Sequence, residues 1–186
     1  MIKPWKLLRS TFIGDFRIFK LRSDVKINPR TGREHDFFIL DAVNWVNVIA
    51  RTPDHQLVMV EQYRHGSNSV ELEVPGGVMD PGETDPVVTA IRELREETGY
   101  TGENARILGR VLANPAILNN YCYTVLIENC RLDHDLDLDP GEDLITHLIP
   151  EAAAPPMVAA EKIRHSLVVV ALGHFDQWLR GIKTVK

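Results

Sequence analysis

The first third of the chain alternates apolar with polar residues, a pattern that predicts β-strands. Residues 10–27 alternate and are rich in β-forming side chains, and residues 36–50 repeat this character after a turn at residues 28–32 that contains Pro29 and Gly32. Such runs flanking a Pro/Gly turn indicate short antiparallel strands. Because so small a sheet is only marginally stable by itself, we expect this β-segment, residues 1–47, to rest on the main domain or on a second subunit.

Residues 48–186 carry the pattern of a larger α/β domain. Further strands are predicted at 57–63, 70–74, 107–112, 121–127 and 144–149, and residues 156–183 have apolar positions near helical spacing. Helices placed between and after strands indicate an α/β layer arrangement.

One more helix is predicted at residues 86–98. Asp85 can cap it, Pro86 suits its first position, and Gly99 can end it. At about 100° per residue, Glu93 and Glu97 lie side by side with Glu96 on their flank. Three apolar residues about a quarter-turn away are expected to face a core: Val87, Ile91 and Leu94.

Three neighbouring carboxylates repel one another unless a cation lies among them. Carboxylate and carbonyl oxygens suit Mg²⁺ or Mn²⁺, and Mg²⁺ often shares its coordination shell with substrate phosphates. The spacing of Glu93, Glu96 and Glu97 therefore fits a metal site, but it fits the solvated acidic face of a surface helix equally well.

Charge and composition narrow the function classes. The 186 residues are 44% hydrophobic and carry a net charge of −5 without a basic block, which argues against a nucleic-acid polymer as the main partner. Cys122 and Cys130 stand in apolar company and are expected to be reduced, buried thiols, typical of a reducing compartment. We find no signal-peptide pattern and no apolar run of roughly 20 residues, so we expect a cytoplasmic protein that does not enter a membrane.

The stretch from Gly76 to Tyr100 resembles the Nudix box, G-x5-E-x7-R-E-U-x-E-E-x-G-U, where U is an aliphatic or aromatic residue. One departure is that eight residues, 84–91, separate Glu83 from Arg92 where the pattern has seven. The extra residue precedes the helix, so it puts the placement of Glu83 in doubt and leaves the helical part unchanged. The fixed positions of the box are occupied by Gly77, Glu83, Arg92, Glu93, Leu94, Glu96, Glu97, Gly99 and Tyr100.

This resemblance implies the Nudix α/β/α sandwich with a mixed β-sheet, and hydrolysis of a nucleoside diphosphate joined to another group. By the same resemblance, Glu93 and Glu97 bind the metal directly, Glu96 binds it directly or through water, and the carbonyl of Gly76 completes the protein's share. Arg92, four residues before Glu96, is expected to orient the carboxylates by ion pairing.

Several residues outside the box resemble the ADP-ribose and nucleoside diphosphate sugar branch of the family. Arg64, in VEQYRHG, matches an arginine aimed at the diphosphate, and Pro115 lies at the offset where ADP-ribose pyrophosphatases carry a proline. Glu142 precedes a predicted strand, where related enzymes place a proposed general base; a hydroxide ion on the metal is the alternative base.

Two aromatic residues are candidates for stacking on the nucleobase. Phe37 matches a position where related dimers stack an aromatic ring, often across the subunit boundary, and Trp45 is a second candidate. A core position in a strand explains Phe37 equally well. The resemblance therefore implies a homodimer that binds a small nucleotide-sugar.

Two other functions remain open. A hydrolase of nucleoside triphosphates or dinucleoside polyphosphates shares the box, although Pro115 and the N-terminal β-segment favour the nucleotide-sugar branch. A Nudix-fold sensor would bind a nucleotide without cleaving it, but such modules usually lose box carboxylates, and Glu93, Glu96 and Glu97 are all present.

Overall fold

The chain folds into two units, each with its own β-sheet. The computed structural model describes residues 1–138 and 140–182. The first unit contains Met1–Asn44 together with Leu112–Tyr121, and the second begins at Trp45 and contains the other described residues. The predicted division into residues 1–47 and 48–186 stays a prediction.

The first unit contains a three-stranded antiparallel sheet in the order β1-β2-β3. This arrangement confirms the antiparallel strands that the alternating sequence predicts. The loop at 112–121 joins this unit through the Leu40 N–H, which donates to the Ile117 carbonyl at 2.8 Å. The strands are β1 (Lys6–Asp15), β2 (Lys20–Ile27) and β3 (Glu34–Asp41).

The second unit is built on a mixed seven-stranded sheet with the order β10-β5-β4-β9-β8. Strands β4 and β9 are parallel, whereas β5 pairs antiparallel with β4, β6 and β10. Short β7 pairs antiparallel with β4, whereas β6, which precedes it in sequence, pairs with β5. The strands are β4 (Trp45–Arg51), β5 (Gln56–Arg64), β6 (Ser69–Glu73), β7 (Gly76–Val78), β8 (Tyr100–Leu112), β9 (Tyr121–Leu132) and β10 (Leu144–Pro150).

Helices cover both faces of this sheet, because its central strands are apolar on both sides. On one face, Val48 of β4 packs in a cluster with Ala90 and Leu94 of α1. On the other face, Ile49 of β4 packs with Phe175 of α3. The helices are α1 (Pro86–Thr98), α2 (Ala154–Ala159) and α3 (Ser166–Leu179), with a 3-10 turn at Glu151–Ala153 before α2. The predicted α/β/α arrangement is therefore confirmed.

The predicted C-terminal helical stretch, 156–183, is resolved into α2 and α3. Its last residue, Lys183, lies outside the described residues, as does Asp139. Strand β8 is longer than its sequence pattern indicates, because it begins directly after α1 at Tyr100. Within the described part of the chain, no helix combines the length and the apolarity needed to cross a bilayer.

Candidate functional site

Helix α1 begins and ends where its sequence predicts. The Asp85 carboxylate accepts a hydrogen bond from the Val87 N–H at 2.9 Å, and Pro86 occupies the first turn. Gly99 adopts φ 72°, and its N–H donates to the Arg95 carbonyl at 2.8 Å. A side-chain cap at one end and a left-handed glycine at the other satisfy backbone groups that the helix itself leaves unpaired.

The Glu83 side chain supports the start of this helix. Its carboxylate accepts from the Asp80 N–H at 2.9 Å and from the Thr89 hydroxyl at 2.7 Å, and these two bonds lower the pKa of Glu83. Nη2 of Arg92 lies 3.9 Å from Glu83 Oε2. The extra residue within 84–91 therefore leaves Glu83 attached to the helix.

The buried face of α1 differs from the one that its apolar residues predict. Leu94 is buried and Val87 packs against the core, but Ile91 is 46% exposed, so its predicted core position is wrong. The helix is rotated so that its buried face is centred near Ala90 and Glu97. A hydrophobic pattern cannot anticipate this rotation, because it treats glutamate as a surface residue.

Two glutamates of α1 are consequently buried beside strand β7. Glu93 is 8% exposed and Glu97 is 4% exposed. The Gly76 N–H donates to Glu97 Oε2 at 2.9 Å. A Cβ atom on Gly77 would lie 2.4 Å from Glu93 Oε1, and one on Gly76 would lie 2.2 Å from the Val46 carbonyl oxygen. Gly77 therefore lets the strand pass close to the Glu93 carboxylate, and Gly76 lets it lie close to the backbone of β4.

Burial makes both carboxylates hard to ionise. It raises the pKa of Glu93 to about 7 and that of Glu97 to about 8, because removing a charge from water disfavours the ionised form. The Arg92 charge opposes the shift at Glu93, and the Gly76 hydrogen bond opposes it at Glu97. Each pKa is raised further by neighbouring negative charges, including that of Glu142.

The Arg92 side chain connects α1 to the strand that crosses it. Its Nη1 lies 2.9 Å from Glu96 Oε2 and 3.0 Å from Glu93 Oε1, and its Nη2 donates to the Val78 carbonyl at 3.2 Å. The predicted pairing of Arg92 with Glu96 is thus present. The same guanidinium also neutralises part of the charge of Glu93.

A cavity of about 1330 Å³ opens beside Gly76 and Gly77. Arg64, at the end of β5, lines it and makes two hydrogen bonds to Glu73, each 2.8 Å long. Glu73 is almost fully buried, whereas the Arg64 side chain is 44% exposed. Trp45 and Glu142 also line the cavity. The site thus joins two buried carboxylates, a paired arginine and an open space large enough for a nucleotide.

The NUDIX domain family matches residues 42–166 of this sequence. Over 176 residues the chain is 32% identical to the methanol dehydrogenase activator of Bacillus methanolicus, and the match covers 92% of each protein. The chain belongs to the Nudix family. Its fold and its box agree with a Nudix hydrolase.

Other Nudix relatives match shorter parts of the chain. The ADP-sugar pyrophosphatase of Mus musculus is 36% identical over 123 residues, which span 66% of this chain and 54% of the mouse protein. The ADP-ribose pyrophosphatase of Bacillus subtilis is 33% identical over 98 residues, which span 52% of each. A crystal structure of an ADP compounds hydrolase superposes with a TM-score of 0.84 at 22% identity, covering 100% of this chain and 99% of the other, and so shows the same fold.

The donor atoms of the Nudix box fit a hard divalent cation. Glu93 and Glu97 offer buried carboxylate oxygens, and the absence of a side chain at Gly77 leaves room for the Glu93 carboxylate itself. Among the residues that the structure describes, no three acidic, histidine or cysteine side chains already converge on one point. Glu96 instead pairs with Arg92. An ion here would therefore complete its shell with water and substrate oxygens, as Mg²⁺ commonly does.

Some of the predicted site residues lie in the second unit and others lie in the first. Arg64, Trp45 and Glu142 line the cavity beside the box. Phe37 belongs to β3 of the first unit, where its ring meets Trp5 edge-on at 5.4 Å between centroids. Pro115 lies in the loop 112–121 of that same unit. The ligand and binding roles of all these residues stay predictions.

Sequence reasoning missed the carboxylates of β6. Glu71 and Glu73 are 6% and 2% exposed, and both line the cavity. Each forms a two-pronged pair with an arginine, Glu73 with Arg64 and Glu71 with Arg164. The signal was available, since two glutamates at alternate positions of a strand share one face, and two charges on one face of a buried strand require partners.

Proposed function

We propose that this protein hydrolyses the diphosphate bond of nucleoside diphosphate sugars, and that ADP-ribose is cleaved to AMP and ribose 5-phosphate. The observation that carries the proposal is the pair of buried glutamates, Glu93 and Glu97, held beside a cavity that also contains Arg64. The names of the mouse and Bacillus subtilis relatives, an ADP-sugar and an ADP-ribose pyrophosphatase, support this substrate class.

The reaction depends on a divalent cation, Mg²⁺ or alternatively Mn²⁺. Glu93 and Glu97 would hold it together with the Gly76 carbonyl, and Glu96 would bind it directly or through water. Such an ion supplies charge neutralisation of a diphosphate and a lowered pKa for a bound water. Burial of Glu93 and Glu97 supports this assignment, because both carboxylates need a cation nearby to ionise fully near neutral pH.

The side chains of the cavity position the substrate and move the proton. Arg64 presents to the diphosphate the exposed edge of its guanidinium, the edge that does not contact Glu73. A planar guanidinium matches paired phosphate oxygens. Glu142 accepts the proton of the attacking water, a role that suits a carboxylate on a loop that lines the cavity. Arg92 acts as a positioning residue that orients Glu96.

Aromatic residues would hold the nucleobase. Trp45 lines the cavity and is favoured for stacking. Phe37 and Pro115, both in the first unit, are assigned to the base contact and to substrate choice by their resemblance to the nucleotide-sugar branch.

A homodimer and a cytoplasmic location complete the proposal. Apolar side chains of the three-stranded sheet are exposed, among them Phe12, Ile13 and Phe38, and a second copy of the chain would cover them. Sedimentation analysis measures the assembly state directly.

Cys122 and Cys130 are free and buried, which supports a reducing compartment.

The test is a substrate panel incubated with Mg²⁺, with products separated by chromatography. It contains ADP-ribose, ADP-glucose, GDP-mannose, NADH, diadenosine polyphosphate and nucleoside triphosphates. We expect AMP from ADP-ribose at the highest kcat/KM. A clear preference for a triphosphate or a dinucleoside polyphosphate would reject the substrate class, and binding without turnover of any member would indicate a nucleotide sensor.

A further inference from the structure

His165 precedes α3 and directs one ring nitrogen toward a buried carboxylate. Its Nδ1 lies 3.8 Å from Oε2 of Glu73, whose side chain is 2% exposed. This nitrogen is itself buried, and the residues that the structure describes provide no hydrogen bond for it. The imidazole as a whole is 36% exposed and lines the cavity beside the Nudix box. One part of the ring thus contacts the interior, while another part is open to the cavity.

Arg64 and His165 approach the same carboxylate. Nη2 of Arg64 donates to Oε2 of Glu73 at 2.8 Å, and this is the oxygen that His165 Nδ1 faces. The two nitrogens are therefore no farther apart than the sum of these two distances. Both side chains line the cavity. An anion that binds to the exposed edge of Arg64 consequently lies close to the imidazole.

The charges next to His165 are balanced while its ring is neutral. Glu73 forms a two-pronged pair with Arg64, and Glu71 forms one with Arg164. Hydrogen bonds from Arg164 are the main cause that lowers the pKa of Glu71, and the charge of His165 lowers it further. The two carboxylates and two guanidiniums together carry no net charge. A proton added to His165 leaves one positive charge in excess.

Other charged groups surround this cluster. His65 directly follows β5, and Glu142 and Asp143 lie in the loop before β10; all three line the cavity. Glu161, which follows α2, acts electrostatically on Arg164. These groups are identical in proteins that differ only at position 165. A comparison of such proteins therefore isolates the charge of the imidazole.

Histidine is the side chain that ordinarily gains or loses its charge between pH 5 and pH 8. Opposite charges attract each other more strongly in a site partly shielded from water than in bulk water. A carboxylate next to Nδ1 favours a proton on that nitrogen, so the proton that makes the ring cationic is taken up at Nε2. Protonation of the ring therefore adds an attractive charge for an anion beside Arg64.

We propose that His165 is a proton-sensitive residue of the diphosphate site, and that its protonation strengthens binding of the diphosphate group. This inference rests on the proposed function, because it takes the diphosphate to lie beside Arg64. It gives the cavity a higher affinity for a nucleoside diphosphate sugar when the imidazole is charged than when it is neutral.

The test replaces His165 with side chains of fixed charge. H165Q is neutral at every pH, whereas H165K and H165R ordinarily remain positive across the range tested. The ligand is α,β-methylene ADP-ribose, which cannot be cleaved at the diphosphate. Calorimetric titration in Mg²⁺ measures its Kd at about pH 5.5 and about pH 8.5, on either side of the range in which histidine usually titrates.

The wild-type protein should change from one reference variant to the other as the pH rises. At the lower pH we expect it to bind like H165K and H165R, at least threefold more tightly than H165Q. At the higher pH we expect it to bind like H165Q, at least threefold more weakly than the two charged variants. Titration of the other groups affects all four proteins alike, so it cancels in these ratios.

His147 provides a matched control. Its Nε2 lies 3.5 Å from Oε2 of Glu61 and its side chain is 41% exposed, but it belongs to β10 and lines a different cavity. H147Q should bind the analogue like the wild-type protein at both pH values. Thermal unfolding at each pH verifies that every variant is folded.

A ratio between wild type and H165Q that is the same at both pH values would overturn the inference, since it would show a structural role alone. No binding of the analogue by the wild-type protein at either pH would overturn it as well. Turnover of ADP-ribose is measured separately. Cleavage of ADP-ribose with a constant ratio would keep the proposed function and reject this inference. Binding with the expected pH dependence but without cleavage of any member of the substrate panel would do the reverse.

Discussion

Two buried carboxylates dominate the chemistry of this protein at the scale of single residues. Glu93 and Glu97 are neighbours on α1, and among the residues that the structure describes the hydrogen bonds and ion pairs found for them are one each: Arg92 for Glu93 and the Gly76 N–H for Glu97. In most proteins a buried acid is more fully paired. Their incomplete pairing is the physical reason for assigning them to a cation.

Replacing either carboxylate with its amide should abolish most turnover. E93Q and E97Q keep the shape of the side chain but remove a negative oxygen ligand. We expect each to lower kcat for ADP-ribose at least 100-fold, an increase of about 2.7 kcal/mol in the barrier. Steady-state kinetics in Mg²⁺ measures this loss, and circular dichroism verifies the fold. Activity within about threefold of wild type in both variants would remove the metal assignment.

Alanine substitutions at the two glycines of β7 should have different effects, one mainly on activity and the other on stability. The nearest atoms to a Cβ on Gly77 are those at the end of the Glu93 side chain, so G77A should displace that carboxylate and lower kcat at least tenfold with little loss of stability. A Cβ on Gly76 meets the Val46 backbone, so G76A should lower the free energy of unfolding by about 2 kcal/mol or more. Kinetics and urea denaturation of both variants distinguish the two effects.

G173A is the matched control for these glycine variants. Nothing lies within 4 Å of a Cβ at Gly173, which is in the middle of α3. Alanine should leave kcat unchanged and raise stability by up to about 1 kcal/mol through its helix propensity. Full activity in G77A would show that the space beside Glu93 is not needed.

At the scale of elements, the ends of α1 fix the part of the Nudix box that contains the glutamates. D85A removes the carboxylate that accepts from the Val87 N–H, so it should lower the free energy of unfolding by about 1 kcal/mol. D85N keeps a capping oxygen and should stay within a few tenths of a kcal/mol of wild type. Urea denaturation compares the three proteins, and equal stability of D85A and wild type would show that the cap contributes nothing.

The sequence anticipated α1 better than any other element, because its signals are local. Asp85, Pro86 and Gly99 act within one turn of the backbone that they cap, and their positions give the correct helix bounds. The rotation of the helix was not foreseen, as Ile91 shows, since it depends on the contacts of β7 with Glu93 and Glu97. Such packing joins segments that the pattern of one helix does not contain.

The cavity could be predicted only in part for the same reason. Arg64 was identified by its resemblance to a family position, but its partner Glu73 was not, because their pairing depends on β5 lying next to β6. Arg164 was missed entirely, since 93 positions separate it from Glu71. Long-range ion pairs of this kind leave no periodic signal in the sequence.

At the scale of the whole molecule, the buried glutamates should make the stability of the metal-free protein depend on pH. Folding raises the pKa of both from an ordinary value of 4.5, to about 7 for Glu93 and about 8 for Glu97. Between about pH 4.5 and pH 8, the folded chain therefore keeps protons that the unfolded chain has released. The free energy of unfolding should fall across this window, at about 1.4 kcal/mol per pH unit for each carboxyl that is protonated only in the folded state, and should level off above it.

Chemical denaturation from pH 5 to 9 in a chelator measures this dependence. The double variant E93Q/E97Q is the control, because it keeps all the histidines and removes only the two carboxylates. The difference between wild type and this variant should shrink when Mg²⁺ is added at pH 8.5, since a bound ion stabilises the folded state by mass action. Parallel pH curves for the two proteins would show that Glu93 and Glu97 titrate as exposed acids do.

The most direct measurement is a crystal structure of the protein soaked with Mg²⁺ and α,β-methylene ADP-ribose. We predict a cation about 2.0–2.1 Å from carboxylate oxygens of Glu93 and Glu97, with the diphosphate of the analogue completing its shell. A bound analogue without a cation at these carboxylates, with Glu93 still on Arg92 and Glu97 still on the Gly76 N–H, would contradict the account.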